Sequence, residues 1–343
     1  MITSVSNAKI KNVMQLNQKA KARREQGLFV AEGRKMFLEA PESWVFQVFV
    51  SETVSRDGEL MSQAEKYPCE IVKDSVFRQM CDTKTPQGIL TVLKLPSWSE
   101  EEVLAGKNPL VMVLEDLQDP GNAGTILRTG EGAGVSGVFL TKTCVDITNP
   151  KVIRSTMGSI YRMPFLYVED VVSLEKKLKE KGIRSFAAHL KGENSYDQES
   201  YKGGTAFFIG NEGKGLTDQA AEAADCLIRI PMCGKVESLN AAMASGILMY
   251  EAARQRNRSR QNERRRQSSS NAKSGRSRQD GRDRRREYDG DNRDRARQRE
   301  RDLRNESGRT TGKKTTKNRP RFEDVPEQRQ QRQRRTRSEQ RVR

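Results

Sequence analysis

Five continuous apolar runs, separated by segments with helical spacing, occupy residues 109–253 and constrain the fold more than any other feature. Short runs without polar alternation are typical of a parallel sheet that is covered on both faces. Because helices alternate with these strands, we expect an open, mostly parallel sheet whose ligands bind beyond the carboxyl ends of the strands. The predicted strands are Leu110–Leu114, Val135–Leu140, Ser185–Leu190, Ala206–Ile209 and Cys226–Ile230, and the predicted helices are Asn122–Gly132, Pro150–Tyr161, Val171–Lys181, Thr217–Ala224 and Leu239–Arg254.

Residues 1–97 predict a second, smaller α/β domain. A polar, basic stretch at 7–26 carries a helical apolar stripe, and short strands and helices alternate after it. The predicted strands lie at 44–50, 69–72 and 89–95, and the predicted helices at 33–40 and 75–81. Residues 98–108 are mainly polar and read as a linker to the domain at 109–254.

The last segment, 255–343, differs in composition from the two domains. Of the 63 lysines and arginines and 46 aspartates and glutamates in the chain, 33 and 14 fall between residues 254 and 343. The body is therefore nearly neutral, and the tail carries the excess positive charge. With so few apolar side chains the tail cannot offset the entropy of ordering, so we expect a disordered, Arg-rich tail. Its charge indicates an anionic polymer such as RNA as the partner, although a solvated, non-interacting extension remains the alternative.

The five cysteines form no CxxC pair, and the chain has one histidine, so we expect neither a zinc site nor a disulfide framework. Scattered cysteines are typical of a reducing compartment. No apolar run reaches the roughly 18 residues of a membrane helix, and the N-terminus has no apolar signal core. These features predict a cytoplasmic protein.

Residues 132–137 match the GxGxxG pattern of dinucleotide-binding proteins. That fingerprint requires a strand before it and a helix after it, whereas here a helix precedes and a strand follows. We therefore interpret the pattern as a turn from helix to strand.

Three loops carry the candidate chemistry, each at the carboxyl end of a predicted strand. The first, 115–128, contains Asn122, which we expect to cap the following helix, and Arg128 less than two turns inside that helix. The second, 208–216, has three closely spaced glycines around Glu212, as in loops that wrap a flat ligand. A capped helix with a surface arginine, and a glycine-rich turn with a solvated glutamate, are the simpler alternatives.

The third loop, 228–240, precedes an apolar helix. Ser238 is a natural N-cap for that helix, and Ser238 and Asn240 at its start are suited to meet an anion or a hydroxyl group. Leu239, Met243, Ile247 and Tyr250 fall on one helical face, which we expect to be core.

Together the three loops resemble the three sequence motifs of the SpoU (TrmH-type) family of RNA 2'-O-ribose methyltransferases, within the SPOUT superfamily. The matching pieces, in the family's order, are NAGTILRTGEGAG, FFIGNEGKGL and IPMCGKVESLNAAMA, with a weaker match at residues 154–158. A shorter match, FVAEG at 29–33, resembles the family's RNA substrate-binding domain.

The resemblance implies a fold, a cofactor and an assembly. The fold would be a SPOUT methyltransferase domain with a C-terminal trefoil knot. The cofactor would be S-adenosylmethionine, held largely by backbone groups. The enzyme would be a homodimer with sites completed across the interface. By position, the cofactor contacts would be Gly210, Ile230 and Leu239, with Ile209 and Met232 beside them.

The same resemblance places Arg128 closest to the reacting ribose 2'-hydroxyl. Either Arg128 removes the proton, or it stays charged, fixes the phosphate and stabilises the developing alkoxide. Because an arginine pKa exceeds about 12, we favour the second role. Asn122 would orient Arg128 or the ribose, Glu212 would hold Arg128 or Asn122, and Ser238 and Asn240 would position the nucleotide or the cofactor.

His189 is the single histidine, and it lies outside all three motifs. We expect a structural or surface role for it rather than that of a general base. The leading functional prediction is 2'-O-methylation of ribosomal RNA, with transfer RNA as the less favoured substrate. The alternative from another class is a non-catalytic RNA-binding or ribosome-assembly factor on the same fold.

Overall fold

The computed structural model describes residues 1–262, 264, 296–299 and 301. The chain divides into two units, Met1–Ser268 and Ser269–Arg343. Apart from a helix that continues to residue 262 and the helical residues 296–299 and 301, the predicted tail lies outside the described residues. No helix in the described part of the chain is long and apolar enough to cross a membrane.

The N-terminal domain is a four-stranded mixed sheet in the order β1-β4-β2-β3, with helices packed against it. The predicted small α/β domain is therefore confirmed, although strand β1 and helix α4 were not predicted. The elements are α1 (Ala8–Gln18), α2 (Ala20–Gln26), β1 (Leu28–Glu32), α3 (Arg34–Leu38), β2 (Val45–Ser51), α4 (Gly58–Ala64), β3 (Cys69–Val72), α5 (Asp74–Met80) and β4 (Ile89–Lys94), with 3-10 turns at Glu42–Trp44 and Val54–Arg56.

The second domain is a seven-stranded sheet in the order β7-β6-β5-β10-β8-β11-β9, and every pairing in it is parallel. This confirms the predicted parallel sheet, while the trefoil knot stays a prediction. The elements are α6 (Glu100–Val103), β5 (Leu110–Leu114), α7 (Pro120–Ala133), β6 (Gly137–Thr141), α8 (Pro150–Thr156), β7 (Phe165–Val168), α9 (Val171–Glu180), β8 (Arg184–Ala188), β9 (Asn194–Ser195), β10 (Thr205–Ile209), α10 (Asp218–Ala223), β11 (Cys226–Arg229) and α11 (241–262), with 3-10 turns at Ser159–Tyr161 and Tyr196–Gln198.

The element boundaries follow from local chemistry. Gly134 ends α7 in the left-handed conformation (φ 78°) before β6 begins, so the GxGxxG pattern is the helix-to-strand turn that was predicted. The predicted helix 150–161 ends at Thr156 because Met157 and Gly158 both take positive φ, and a 3-10 turn follows.

Helix α11 spans the sheet from its carboxyl edge to its amino edge. Near the far end, the guanidinium of Arg256 donates to the carbonyls of Tyr201 (2.8 Å), Gly203 (2.7 Å) and Asn108 (2.9 Å). Those carbonyls precede β10 and β5, at the amino edge. The helix thus continues past the predicted boundary at residue 254 as a fixed part of the domain.

Helices α7 and α8 approach so closely that Gly124 has no room for a side chain. A Cβ built at Gly124 would lie 2.3 Å from the Cβ of Ser155 and 2.7 Å from the carbonyl oxygen of Val152. Since the second atom is backbone, the helices would have to separate.

We expect Gly124→Ala to lower the free energy of unfolding by about 1–3 kcal/mol, the usual cost of overpacking. Gly132→Ala, in the same helix, is the matched control because its Cβ would meet only the hydroxyl end of Tyr250, at 3.2 Å. Urea denaturation followed by circular dichroism measures both. Equal stabilities of the two variants would contradict the close packing as the cause.

Candidate active site

A row of three hydrogen-bonded side chains joins the three sequence motifs at the carboxyl edge of the sheet. The side-chain amide of Asn240 donates to Asn122 Oδ1 (2.9 Å), and the Asn122 amide donates to Glu212 Oε1 (3.0 Å). Asn122 lies in α7, Glu212 in the loop after β10, and Asn240 at the start of α11. The predicted convergence of the three loops is therefore observed for these three residues.

The helix start fixes the direction of every bond in this row. Asn240 Oδ1 accepts from the backbone amides of Ala242 (2.9 Å) and Met243 (3.3 Å), so Asn240 is the N-cap of α11. Its nitrogen must then face Asn122 Oδ1, which turns the Asn122 nitrogen toward Glu212. The expectation that Ser238 caps this helix was wrong; Ser238 is exposed and lies two residues before the cap.

Asn122 was also expected to cap its helix, and this was wrong. The cap of α7 is Asp119, whose carboxylate accepts from the Asn122 backbone amide (2.7 Å), with Pro120 as the first helical residue. Proline suits that position because it has no amide hydrogen to satisfy. With its backbone amide satisfied by Asp119, Asn122 keeps its side chain for Glu212 and Asn240.

Glu212 is surrounded by donors. Besides Asn122, its carboxylate accepts from the backbone amides of Gln118 (3.1 Å) and Asp119 (2.9 Å). Burial tends to raise the pKa of Glu212, but the hydrogen bonds from Asn122, Asp119 and Gln118 outweigh burial, and the pKa lies below its ordinary value. A carboxylate that only accepts is the form that this arrangement requires.

The lowered pKa of Glu212 predicts an acid-sensitive contribution to stability. That contribution is fully present above the unfolded-state pKa of about 4.3 and is lost as pH falls through the lower folded-state pKa. We therefore expect the free energy of unfolding to fall more steeply below pH 4.3 in the wild type than in Glu212→Gln. Urea denaturation series across this pH range measure the difference, and parallel curves would contradict it.

Beside this row, a cavity of about 570 Å³ opens at the ends of β8, β10 and β11. Its volume suits a ligand of cofactor size. Its lining residues come mainly from the second and third motifs, and they include polar residues such as His189 and Lys214 as well as apolar ones. Glu212 and Ser238 line the cavity. So do all five predicted cofactor residues, which are Ile209, Gly210, Ile230, Met232 and Leu239.

Gly210 is where the wall of this cavity folds most tightly on itself. A Cβ there would lie 2.1 Å from the carbonyl carbon of Gly215 and 2.2 Å from the amide nitrogen of Leu216. Asn211 and Gly215 close the loop with reciprocal backbone hydrogen bonds (2.9 and 3.0 Å). The packing of this loop therefore requires glycine at position 210.

Two further acidic residues support the loop and were missed by sequence analysis. The buried carboxylate of Glu115 accepts from the backbone amide and hydroxyl of Thr217, both at 2.8 Å, and holds the end of the loop. Asp116 takes a positive φ of 53°, and its carbonyl accepts from the side chain of Asn211 (2.8 Å). The Glu-Asp pair directly after the first strand was the available signal.

Arg128 lies apart from both the row and the cavity. It follows Asn122 by six residues in α7, which places it about 240° around and about 9 Å along the helix. Its side chain is exposed and makes no hydrogen bond or ion pair with any described residue. Arg128 is not among the residues that line the cavity with Gly210, Ile230 and Leu239.

His189 lines the cavity and directly follows β8, the neighbour of the central strand β10. Its Nδ1 accepts from the backbone amide of Lys191 (3.1 Å), and its own backbone amide donates to Ile228 (2.9 Å). These bonds fix the turn after β8, in keeping with the structural role that was predicted. The histidine lies nearer to the ligand cavity than its position outside the motifs indicated.

The predicted core stripe of α11 is in fact exposed. The exposed fractions are 61% for Met243, 55% for Tyr250 and 37% for Leu239, with Ile247 partly exposed. The buried side of α11 instead contains Leu248, Met249 and Ala252. The helix therefore has apolar side chains on two faces, and among the described residues only one of these faces is buried.

Comparisons with known proteins match both domains. The model of the SpoU rRNA methylase family matches residues 109–250, and that of the MRM3-like substrate binding domain matches residues 7–91. An uncharacterized tRNA/rRNA methyltransferase of Synechocystis is 32% identical over 74% of this chain and 94% of its own length. The 23S rRNA (guanosine(2553)-2'-O)-methyltransferase RlmP of Bacillus subtilis is 30% identical over 73% of this chain and 97% of its own.

A solved structure gives the same answer for the fold. The AdoMet-bound rRNA methyltransferase from Sinorhizobium meliloti superposes with a TM-score of 0.67 at 28% identity, over 74% of this chain and 97% of that one. The two family models, these full-length relatives and the joined motifs agree, and the chain belongs to the SpoU rRNA methylase family.

Proposed function

We propose that this protein transfers a methyl group from S-adenosylmethionine to a ribose 2'-hydroxyl of ribosomal RNA. The observation that carries the proposal is the Glu212–Asn122–Asn240 row beside a cavity of cofactor size. Relatives named as 23S rRNA 2'-O-methyltransferases support the substrate class. Transfer RNA is the less favoured substrate.

The cavity residues fit the cofactor by their chemistry. S-adenosylmethionine, when bound, supplies an activated methyl group. The backbone around Gly210, Ile230 and Leu239 offers amides and carbonyls for polar groups of the cofactor, and Ile209 and Met232 offer apolar contact. A wall built on a tightly folded loop binds with little reorganisation, which favours affinity.

The residues of the row act by positioning. Glu212 fixes Asn122, and Asn240 fixes it from the other side, so the side chain of Asn122 is held before any substrate arrives. Ser238, exposed at the cavity wall, is free to contact the nucleotide or the cofactor. Arg128 meets the phosphate and stabilises charge developing on the 2'-oxygen. The exposed guanidinium of Arg128 in the protomer supports its role as a charged group rather than as a base.

The direct test is methyl transfer itself. Purified protein is incubated with radiolabelled S-adenosylmethionine and either total ribosomal RNA or total transfer RNA, and 2'-O-methyl positions are mapped in cells with and without the gene. Label in ribosomal RNA at one mapped ribose supports the proposal. Label in transfer RNA alone changes the substrate, and RNA binding without cofactor binding favours the non-catalytic alternative.

We assign residues 1–97 to RNA binding, 98–108 to a linker, 109–254 to methyl transfer and 255–343 to a tail that contacts RNA or the ribosome through phosphate neutralisation. The excess of 33 basic over 14 acidic residues from residue 254 onward supports that role of the tail. Ribosomal RNA as substrate and the scattered cysteines support a cytoplasmic location.

The exposed stripe on α11 supports a homodimer. Met243, Ile247 and Tyr250 follow one another at helical spacing of four and three residues, so they form one apolar strip. Small residues flank it, because Gly132 of α7 lies beside the Tyr250 hydroxyl and Gly246 lies beside Thr129. An apolar strip with small neighbours is suited to pack against its own copy about a twofold axis. Arg128 projects from the adjacent helix α7.

We expect Met243→Glu to convert a dimer into monomers, because a charge in an apolar interface would have to be desolvated without a partner. The matched control is Phe46→Glu, which places the same charge on a 48% exposed apolar residue of the N-terminal domain. Sedimentation velocity measures the mass of each variant. If the Met243→Glu protein is still a dimer, α11 does not form the interface.

A further inference from the structure

We propose that Arg23 and Asp146 are positioning residues that couple the docking of the N-terminal domain to the order of the active site. Arg23 lies in α2 of the N-terminal domain, and Asp146 lies in the 141–148 loop after β6. The inference rests on the proposed function, because it assigns what these residues do for methyl transfer.

Arg23 is a buried charge whose only carboxylate partner among the described residues is in the other domain. The residue is 2% exposed, and its Nε and Nη2 donate to Asp146 Oδ2 at 3.0 and 2.7 Å. A third bond, from Nη1 to the carbonyl of Leu16 (2.6 Å), fixes the guanidinium to α1. Because an unpaired buried charge is strongly destabilising, the pair holds α2 against the 141–148 loop.

The other oxygen of Asp146 fixes the loop itself. Asp146 Oδ1 accepts from the backbone amide (2.9 Å) and the hydroxyl (2.7 Å) of Thr148. The next amide, that of Ile147, donates to the hydroxyl of Tyr167 in β7 (2.9 Å). One carboxylate thus joins the N-terminal domain to a loop whose local turn it also forms.

The same loop is bonded directly to the segment that precedes α7. The Val145 amide donates to the Leu117 carbonyl (2.8 Å), and the Gln118 side chain donates to the Thr143 carbonyl (2.7 Å). In addition, the backbone amide of Asp116 donates to the Thr141 hydroxyl (3.0 Å). Residues 116–118 therefore take their position from the 141–148 loop.

Residues 118 and 119 in turn hold the row of Glu212, Asn122 and Asn240, since their backbone amides donate to the carboxylate of Glu212. The path from Arg23 to the row thus alternates hydrogen bonds with neighbouring residues of the chain. Arg23 bonds Asp146, the adjacent Val145 bonds Leu117, and the adjacent Gln118 bonds Glu212, which holds Asn122. Loss of docking at Arg23 would free the loop and, through it, the donors of Glu212.

A second ion pair between the domains involves neither the 141–148 loop nor residues 116–119 and provides a control. Arg162 in the second domain pairs with Glu39 of α3 (3.0 Å) and also with Glu131. Glu39→Gln therefore weakens a domain–domain ion pair while leaving Arg162 a partner and the 116–119 segment untouched.

The test compares Arg23→Met, Arg23→Lys and Glu39→Gln in the full chain by hydrogen exchange and by methyl transfer. In Arg23→Met, we expect the backbone amides of the peptide covering 114–123 to exchange about tenfold faster than in the wild type. We also expect kcat to fall about tenfold, with little change in KM for RNA. Arg23→Lys, which keeps the charge, should exchange more slowly in this peptide than Arg23→Met and should have a higher kcat. Glu39→Gln should behave as the wild type in that peptide.

Two results would overturn the coupling. One is a folded Arg23→Met protein whose 114–123 peptide exchanges at the wild-type rate. The other is faster exchange spread evenly over both domains, which a merely structural role would produce. If Arg23→Met fails to fold, Arg23→Lys and Asp146→Asn are judged by the same peptide. Exchange needs no activity, so absence of methyl transfer by the wild type would refute the proposed function separately.

Discussion

Arg128→Ala is expected to lower the rate of methyl transfer by about two to three orders of magnitude while leaving cofactor affinity within twofold of the wild type. The magnitude is that of removing one group that stabilises charge developing in a transition state. Cofactor affinity should hold because Arg128 is absent from the cavity wall. Single-turnover methylation and calorimetric titration with S-adenosylmethionine measure the two quantities.

Arg128→Lys is the matched control for charge. A lysine keeps the positive charge but lacks the planar, two-pronged donor set that an arginine presents to a phosphate. An intermediate rate is therefore expected. A wild-type rate for Arg128→Ala would remove Arg128 from the mechanism, and a parallel loss of cofactor binding would make its role structural.

The exposed position of Arg128 allows a sharper experiment. If Arg128 of one protomer serves the row of its partner, then mixing Arg128→Ala with Asn122→Ala protein restores one intact site in each mixed dimer. Since half of the dimers are mixed after random exchange, about a quarter of wild-type activity should return. If each arginine serves its own protomer, the mixture stays inactive.

The sequence predicted the second domain well because its strands are buried on both faces. Runs such as Leu110–Leu114 and Thr205–Ile209 consist of side chains that all avoid water, and this signal does not depend on distant contacts. The missed strands β7 and β9 have the opposite character. They are short and lie at the two edges of the sheet. β9 consists of two polar residues, and β7 is an apolar run of only four residues that includes the exposed Tyr167.

Helix α11 shows the limit of reading burial from periodicity. The stripe of Met243, Ile247 and Tyr250 has the spacing of a core face, and an apolar stripe looks the same whether it packs within the chain or against another molecule. In the structure, Leu248, Met249 and Ala252 form the buried side of the helix.

The candidate site divides in the same way. The motifs predicted its residue types but not the direction of its hydrogen bonds. Each helix start has several polar side chains near it, and any of them could have capped the helix. Asp119 displaced Asn122 as the cap of α7, and Asn240 displaced Ser238 at α11. In both cases a polar residue caps the helix, as expected. The predictions were wrong only about which polar residue accepts from the free backbone amides.

Gly210→Ala tests the cavity as directly as Arg128→Ala tests the chemistry. The φ of Gly210 is outside the left-handed region, so alanine would meet no backbone strain there, only the atoms of Gly215 and Leu216 at 2.1–2.3 Å. The loop would have to move outward, and it carries Glu212 with it. Because the cofactor is proposed to bind against the undisplaced loop, returning the loop to that position would cost about 1–3 kcal/mol, which corresponds to a roughly five- to 150-fold loss of cofactor affinity.

Gly213→Ala is the control in the same loop. Its Cβ would meet only the Asn211 side-chain oxygen, at an ordinary 3.6 Å, so its affinity for S-adenosylmethionine should stay near that of the wild type. Calorimetric titration of both variants shows whether affinity depends on the close packing at position 210 or on replacing any glycine of the loop. Equal affinities would mean that the cofactor does not bind against the 209–216 loop, and the assignment of the cavity would fail with it.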